Sequence, residues 1–225
     1  MRARSRSSGG REDEVIVKSM LGHMTQSTYL AQIGTQEVEL PLVSLGSNLA
    51  ISLMITVDLQ VQFLDEAGRQ LAEILRPLDV DVVVTIATMG IPVAISVAHA
   101  LGLDHYVVLH KTQKIHLETA LAESVRSITT AAEQRLLLDR ARIPLLQGKR
   151  VAILDDVIST GASVSAALRL VRRAGGEVVG VGVLATEASQ WRSALADDAV
   201  LVRALGALPL FRSDGQGGLV EDWVG

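Results

Sequence analysis

The chain has 225 residues, 48% apolar and 20% charged, which is enough for one or two domains with a real core and unlike a disordered polymer. Its 21 basic and 25 acidic side chains leave a formal net charge of −4, which argues against a general nucleic-acid binder, whose affinity comes from a cationic excess. Cysteine is absent, so disulfides, thiol nucleophiles and thiolate metal sites are excluded, and a reducing, cytoplasmic setting fits.

In chain order, Met1 to Glu14 (MRARSRSSGGREDE) has no apolar stretch and is expected to be disordered. The longest apolar run, Leu49 to Val57, is broken by Ser52 and Thr56 and falls far short of the ~18 residues of a membrane span, so no membrane partner is expected. Asp58 to Arg76 places Leu64, Ala67, Leu71, Ile74 and Leu75 at helical spacing and stops at Pro77. Asp81 to Ile86 (DVVVTI) reads as a buried strand, Ala87 to Pro92 as a turn, and Val93 to Leu101 as a helix. A strand at His105 to Leu109 precedes a long polar stretch, Lys111 to about Thr130, of the kind that is usually functional inside a compact domain. Strands follow around Arg135 to Leu138 and from Arg150 to Leu154, then a helix from Ser163 to Ala174 and a strand from Glu177 to Leu184. The tail from Ser213 reads as a loop until Leu219. Such alternation predicts an α/β fold: an open, mostly parallel twisted sheet with flanking helices, whose ligands sit at the carboxyl ends of the strands.

The most informative stretch is Val151 to Ser165, VAILDDVISTGASVS: a buried strand, two adjacent acids, a loop of small hydroxyl residues, then a helix. Gly161 allows close backbone approach, Thr160 and Ser163 offer hydroxyls, and the helix start offers unpaired N–H groups with the positive end of its dipole. A phosphate is the natural guest. Asp155 and Asp156 beside it suit a ligand that also carries vicinal hydroxyls, and they suit Mg²⁺. A phosphorylated sugar supplies both partners. A receiver domain also carries paired acids after a buried strand, but near its start, and too few residues follow Asp156 here. No G-x-x-x-x-G-K-[ST] or G-x-G-x-x-G occurs, and the five histidines show no zinc-binding spacing.

Val151 to Ser163 resembles the signature of the type I phosphoribosyltransferases, which bind 5-phosphoribosyl 1-pyrophosphate (PRPP). The likeness covers roughly Leu59 to Trp191 and is closest to adenine phosphoribosyltransferase-like members; Ala162 stands where many members carry another small residue, often Gly. It implies that Asp155 and Asp156 face the ribose hydroxyls and help hold Mg²⁺, and that Ser159, Thr160, Gly161, Ala162 and Ser163 hold the 5-phosphate. It further implies a pyrophosphate loop at Ala87, Thr88, Met89 and Gly90, often with a cis peptide, and a catalytic cation pair at Lys111 and Lys114. A mobile loop would contain His116, Glu118, Glu123 and Arg126 and close over the substrate.

The resemblance implies a single domain over 15–225 with its core at about 59–191 and a small hood from about 15–50 and 186–211. In that hood Trp191 and Phe211 either stack on a base or pack as core. The expected activity is Mg²⁺-dependent transfer of phosphoribose to a purine, preferably adenine, by a homodimer without a nucleic-acid partner. Xanthine, hypoxanthine, guanine and orotate remain alternatives, as does a non-catalytic regulator that senses PRPP.

Overall fold

The computed structural model describes residues 27–46, 48–113, 120–125 and 134–225. Strands β1 (Thr28–Ile33), β2 (Gln36–Ser44) and β3 (Leu49–Ser52) come first, followed by helix α1 (Val61–Leu75), strand β4 (Val82–Ile86), helix α2 (Gly90–Leu101) and strand β5 (Tyr106–Leu109). A hairpin of β6 (Leu121–Val125) and β7 (Gln134–Leu138) leads to β8 (Arg150–Ile158), α3 (Ala162–Arg173) and β9 (Glu177–Glu187). The short helix α4 (Trp191–Leu195) and strands β10 (Val202–Leu208), β11 (Leu210–Ser213) and β12 (Leu219–Asp222) complete the fold.

The central sheet has five parallel strands in the order β10-β9-β8-β4-β5. The middles of its strands are largely apolar because both faces are covered. On β4, Val82, Val84 and Ile86 point into a core shared with Val164, Leu168 and Val171 of α3. Val83 points the other way, onto Leu71 and Leu75 of α1 and Val93 and Val97 of α2. The same period of two sorts Val151 and Ile153 of β8 from Ala152 and Leu154.

A second, antiparallel sheet, β1-β2-β3-β11-β12, caps the domain. Its contact with the first is close: the Gly34 N–H donates to the Leu205 carbonyl at 3.0 Å, and Gly206 of β10 lies directly against the Gln32 carbonyl of β1. This covers the edge of β10, which would otherwise be open to another chain.

Several elements depart from the sequence reading. In α1 the buried stripe is Phe63, Ala67, Gly68, Leu71, Ala72 and Leu75, and Ile74 falls beside it, 39% exposed. Helix α2 starts at Gly90, ahead of the predicted Val93, because proline is acceptable in a first helical turn and Pro92 lies there. Strand β8 runs past Leu154 to Ile158, so both acids lie within the strand, with Asp155 in register with Val183. The polar stretch predicted as loop contains β6, paired antiparallel with β7, and the predicted strand at 135–138 therefore stands outside the parallel sheet. Within 186–211, predicted to supply the hood, β10 instead completes the parallel sheet, while the second sheet draws on residues 28–52 and 210–222. The loop predicted after Ser213 is flanked by β11 and β12. Among the described residues no helix is long and apolar enough to cross a membrane.

A Cβ at Gly206 would overlap the Gln32 carbonyl oxygen and lie 2.9 Å from Ile33 Cδ1. Gly206→Ala is therefore expected to cost about 1–3 kcal/mol, lowering Tm by ~2–4 °C per kcal/mol. A thermal melt identical to that of the unsubstituted protein would mean that β1 does not seat on this edge.

Candidate active site

Strands β4 and β8 are neighbours, yet the chain leaves them in opposite directions, through α2 to β5 on one side and through α3 to β9 on the other. The crevice at their carboxyl ends is the switch point where open α/β sheets bind ligands. A cavity of about 230 Å³ lies there, walled by Ala87, Thr88, Met89, Lys111 and the run Asp155–Val164. Two loops and one cation predicted from distant parts of the sequence thus meet at one place.

Asp155 is 7% exposed, and its Oδ1 accepts the backbone N–H of Asp156 at 3.1 Å. Burial pushes its carboxyl well above the usual carboxylate range, and the charge of Asp156 and a hydrogen bond to that carboxyl push the same way. Lys111 and the Asp156 N–H oppose this without cancelling it. An acid whose folded pKa is raised favours folding only while protonated. The contribution is complete below the unfolded pKa and is lost as pH rises through the folded one.

The loop after β4 is pinned from both sides. The Ala87 N–H donates to the Leu109 carbonyl at 2.9 Å, and the hydroxyl of buried Thr56 donates to the Met89 carbonyl. The Ala87–Thr88 peptide is cis. A Cβ at Gly90 would collide with Thr85 Oγ1 and lie 2.9 Å from Asp155 Oδ1, so glycine is what lets α2 begin against the acid. The Thr85 hydroxyl in this corner is buried and has no hydrogen-bond partner among the described residues.

On the other side, Gly161 has φ +78°, and a Cβ there would press on the Trp191 carbonyl and Ala194 Cβ, both at 3.1 Å. Gly161 is the N-cap of α3, and Ser163, predicted to start the helix, sits inside its first turn. Neither α2 nor α3 has a hydrogen bond from its N-cap side chain, although the Ile91 N–H of α2 is taken by the Thr88 carbonyl at 3.2 Å, Pro92 has no N–H, and the Ala162 N–H of α3 makes a long bond to Thr160 Oγ1 at 3.4 Å. Helix α1 lacks a side-chain cap too, so this feature alone marks nothing. What distinguishes α2 and α3 is that their starts border the same cavity as the paired acids.

The remaining predicted residues fare differently. Lys114, His116, Glu118 and Arg126 lie outside the described residues. Glu123, grouped with the mobile loop, is on β6 with its carboxylate held by Arg173 and, at 3.1 Å, by Arg169 Nε of α3. Those two arginines keep it below the usual range, and it does not border the Asp155 cavity. Trp191 is 2% exposed, donates Nε1–H to the Ala188 carbonyl at 3.2 Å and carries the Arg192 guanidinium 4.3 Å from its ring centroid. Phe211 is 4% exposed and packs edge-on to Tyr29 at 5.2 Å. Both rings are core, and neither offers a face to a base.

Sequence reasoning missed Thr56, noted only as an interruption of an apolar run, and Glu187. The latter is buried at the end of β9, where burial raises its carboxyl above the usual range and the nearby Ser159 hydroxyl partly opposes this. The signal for Glu187 was there: an acid directly after the apolar strand VVGVGVLAT, much as Asp155 follows VAIL. Among the described residues no group of three or more His, Asp or Glu is arranged to hold a metal. Two adjacent carboxylates short of positive charge do fit Mg²⁺, which binds through one or two carboxylates and completes its shell with ligand oxygens and water.

Comparison with known proteins agrees with this geometry. The chain is 29% identical over 168 residues to xanthine phosphoribosyltransferase of Laribacter hongkongensis, covering 74% of this chain and 87% of that protein. It is 41% identical over 114 residues to adenine phosphoribosyltransferase of Thermobifida fusca, covering 51% and 61%. The crystal structure of adenine phosphoribosyltransferase from Rhodothermus marinus matches with TM-score 0.55 at 30% identity, over 66% of this chain and 79% of that one. The model of the phosphoribosyl transferase domain matches residues 58–204. Since that match runs from the turn before α1 into β10, it takes in both loops of the cleft, and the chain belongs to the phosphoribosyl transferase domain family.

Proposed function

We propose that the protein transfers the 5-phosphoribosyl group of PRPP to a purine base, giving a nucleoside 5-monophosphate and pyrophosphate. The observation that carries this is the meeting, around one cavity, of two helix starts with two adjacent carboxylates. A ligand with phosphate at both ends and hydroxyls between matches that order of charge. In this reading the loop Ser159–Ser163 and the first turn of α3 take the 5-phosphate. Asp155 and Asp156 accept hydrogen bonds from the ribose hydroxyls, and Ala87–Gly90 takes the pyrophosphate.

Lys111 stabilises negative charge as the bond between the anomeric carbon and the pyrophosphate oxygen breaks, and Lys114 is proposed to join it. The base nitrogen forms the new bond to that carbon and loses its proton. When bound, Mg²⁺, held by Asp155 and Asp156 directly or through water, neutralises charge on the donor's pyrophosphate. Holding both reactants in line supplies up to ~7–11 kcal/mol in favourable cases. Relatives named for xanthine and adenine support a purine as acceptor, and adenine is the first to test. The working form in this reading is a cytoplasmic homodimer with neither nucleic acid nor membrane as partner.

The double variant Asp155→Asn, Asp156→Asn is expected to lose PRPP turnover while keeping its circular-dichroism spectrum. Ligand-free, it should lose less stability than the unsubstituted protein as pH rises through the raised pKa of Asp155, because the amide has no charge to bury. Full activity in that variant would end the mechanism. An assay of pyrophosphate release with PRPP and each of adenine, xanthine, hypoxanthine, guanine and orotate is expected to respond to a purine; response to orotate alone would refute the assigned acceptor class.

A further inference from the structure

We infer that Thr56 is a positioning residue for pyrophosphate binding: its buried hydroxyl, in the turn before α1, holds the Met89 carbonyl and so leaves the loop after β4 with its N–H groups facing the anion. The inference rests on the phosphoribosyl reading and assigns within it a residue that does not itself border the cavity.

The polar groups of this loop are sorted by sign. Its carbonyls are taken by the protein: that of Met89 accepts the Thr56 hydroxyl, and that of Thr88 accepts the Ile91 N–H at 3.2 Å. Its N–H groups are not. Among the described residues, those of Thr88, Met89 and Gly90 have no hydrogen-bond partner. Gly90 is buried, where a backbone N–H is nearly always paired, so an unpaired one beside a cavity points to a guest that accepts. Consecutive free donors with the neighbouring acceptors turned away make a concavity suited to an anion.

One bond sets that direction. The Met89–Gly90 peptide is trans, so its carbonyl and its N–H point opposite ways. Thr56 is completely buried and lies off the cavity, so the carbonyl it holds is turned into the protein and the Gly90 N–H is turned away from Thr56. The other two long helices lack this device. Before α1 and α3 the last carbonyl accepts the N–H four residues on, Leu64 to Gln60 at 3.2 Å and Ser165 to Gly161 at 2.9 Å. At α2 the corresponding carbonyl, that of Met89, receives a hydroxyl from another element.

Thr56 is itself a fixed post. It opens a short 3-10 turn, Thr56–Asp58, in which the Asp58 N–H donates to the Ile55 carbonyl at 3.0 Å and the Leu59 N–H to the Thr56 carbonyl at 3.2 Å. Met54, just before it, is buried in the core under α1 and α2. Packing alone would be served by valine, which has nearly the same shape and buries no hydroxyl. The single hydroxyl proton of Thr56 is what reaches Met89. With Ala87 held by the Leu109 carbonyl at 2.9 Å, the loop is fixed at both ends, and Thr88 between them is exposed.

The test compares three ligands on the full chain in MgCl₂: PRPP, pyrophosphate, and ribose 5-phosphate, which lacks the pyrophosphate of the donor. Kd is read by calorimetry, and KM and kcat by steady-state turnover. Thr56→Val is expected to raise Kd for PRPP and for pyrophosphate about tenfold, the size of one lost hydrogen bond, and to lower kcat/KM for PRPP by a similar factor. Kd for ribose 5-phosphate and KM for the base should stay within about twofold, a split that general loosening of the fold would not produce. Thr56→Ser keeps the donor and should restore PRPP binding to within about threefold. Where Thr56→Val does not fold, Thr56→Cys, whose thiol is a weak donor, carries the test with the same split between ligands. PRPP binding by these variants as tight as in the unsubstituted protein, equal weakening of all three ligands, or no recovery with Thr56→Ser would each overturn the inference. Failure of the unsubstituted protein to bind PRPP would instead refute the phosphoribosyl reading, which separates the two claims.

Discussion

Two neighbouring carboxylates on a strand closed in on both faces create a charge that the fold itself does not neutralise. Burial of an uncompensated ion costs several kcal/mol. The positive end of a helix returns at most ~2 kcal/mol in a partly buried setting. At Asp155 the available offsets are the start of α2 at Gly90, Lys111 in the cavity wall and one backbone N–H, and its carboxyl is nevertheless pushed upward. The pocket is thus complementary to something that brings hydroxyl donors or positive charge. Gly90 follows from the same constraint, since any side chain there would drive α2 away from the acid and remove part of its compensation.

The rest of the architecture serves to bring that constraint to an open edge. Parallel strands covered on both faces place Asp155, Ala87 and Glu187 at the same end of the sheet, because β4, β8 and β9 all run the same way. The antiparallel second sheet closes the β10 edge, and α4 backs the loop at Gly161 with Trp191. Rigid strands carry the acids, while the groups proposed to touch phosphate are backbone and small hydroxyl side chains at strand-to-helix turns. Such groups need no rearrangement to present N–H donors, which is the physical basis of electrostatic preorganisation.

What was legible in the sequence was local. Val151 to Ser163 encodes strand, acids, loop and helix start in thirteen consecutive positions, and the cavity is walled by most of them. The strands expected at 81–86 and 150–154 are present because burial on both faces leaves a mostly hydrophobic signal, although β8 continues past Leu154 to Ile158. What was hidden depends on partners far away in the chain. Strand β6 (LAESV) has little strand character alone; it is set by β7 and by Arg169 and Arg173 on α3, which hold Glu123. Trp191 and Phe211 look equally able to stack or to pack until Arg192, Tyr29 and their burial decide the matter. Glu187 resembles any acid at the end of a strand, and only the pairing of Ile158 with Thr186 brings it to Ser159.

The central claim is that one phosphorylated pentose spans the acids and the small-residue loop at the tip of β8. A crystal structure of the protein soaked with PRPP and MgCl₂ tests it most directly. The account predicts the 5-phosphate among the N–H groups of Thr160 to Ser163, with the ribose hydroxyls on Asp155 and Asp156. Density for the phosphate elsewhere, or a ribose turned away from the two acids, would contradict it.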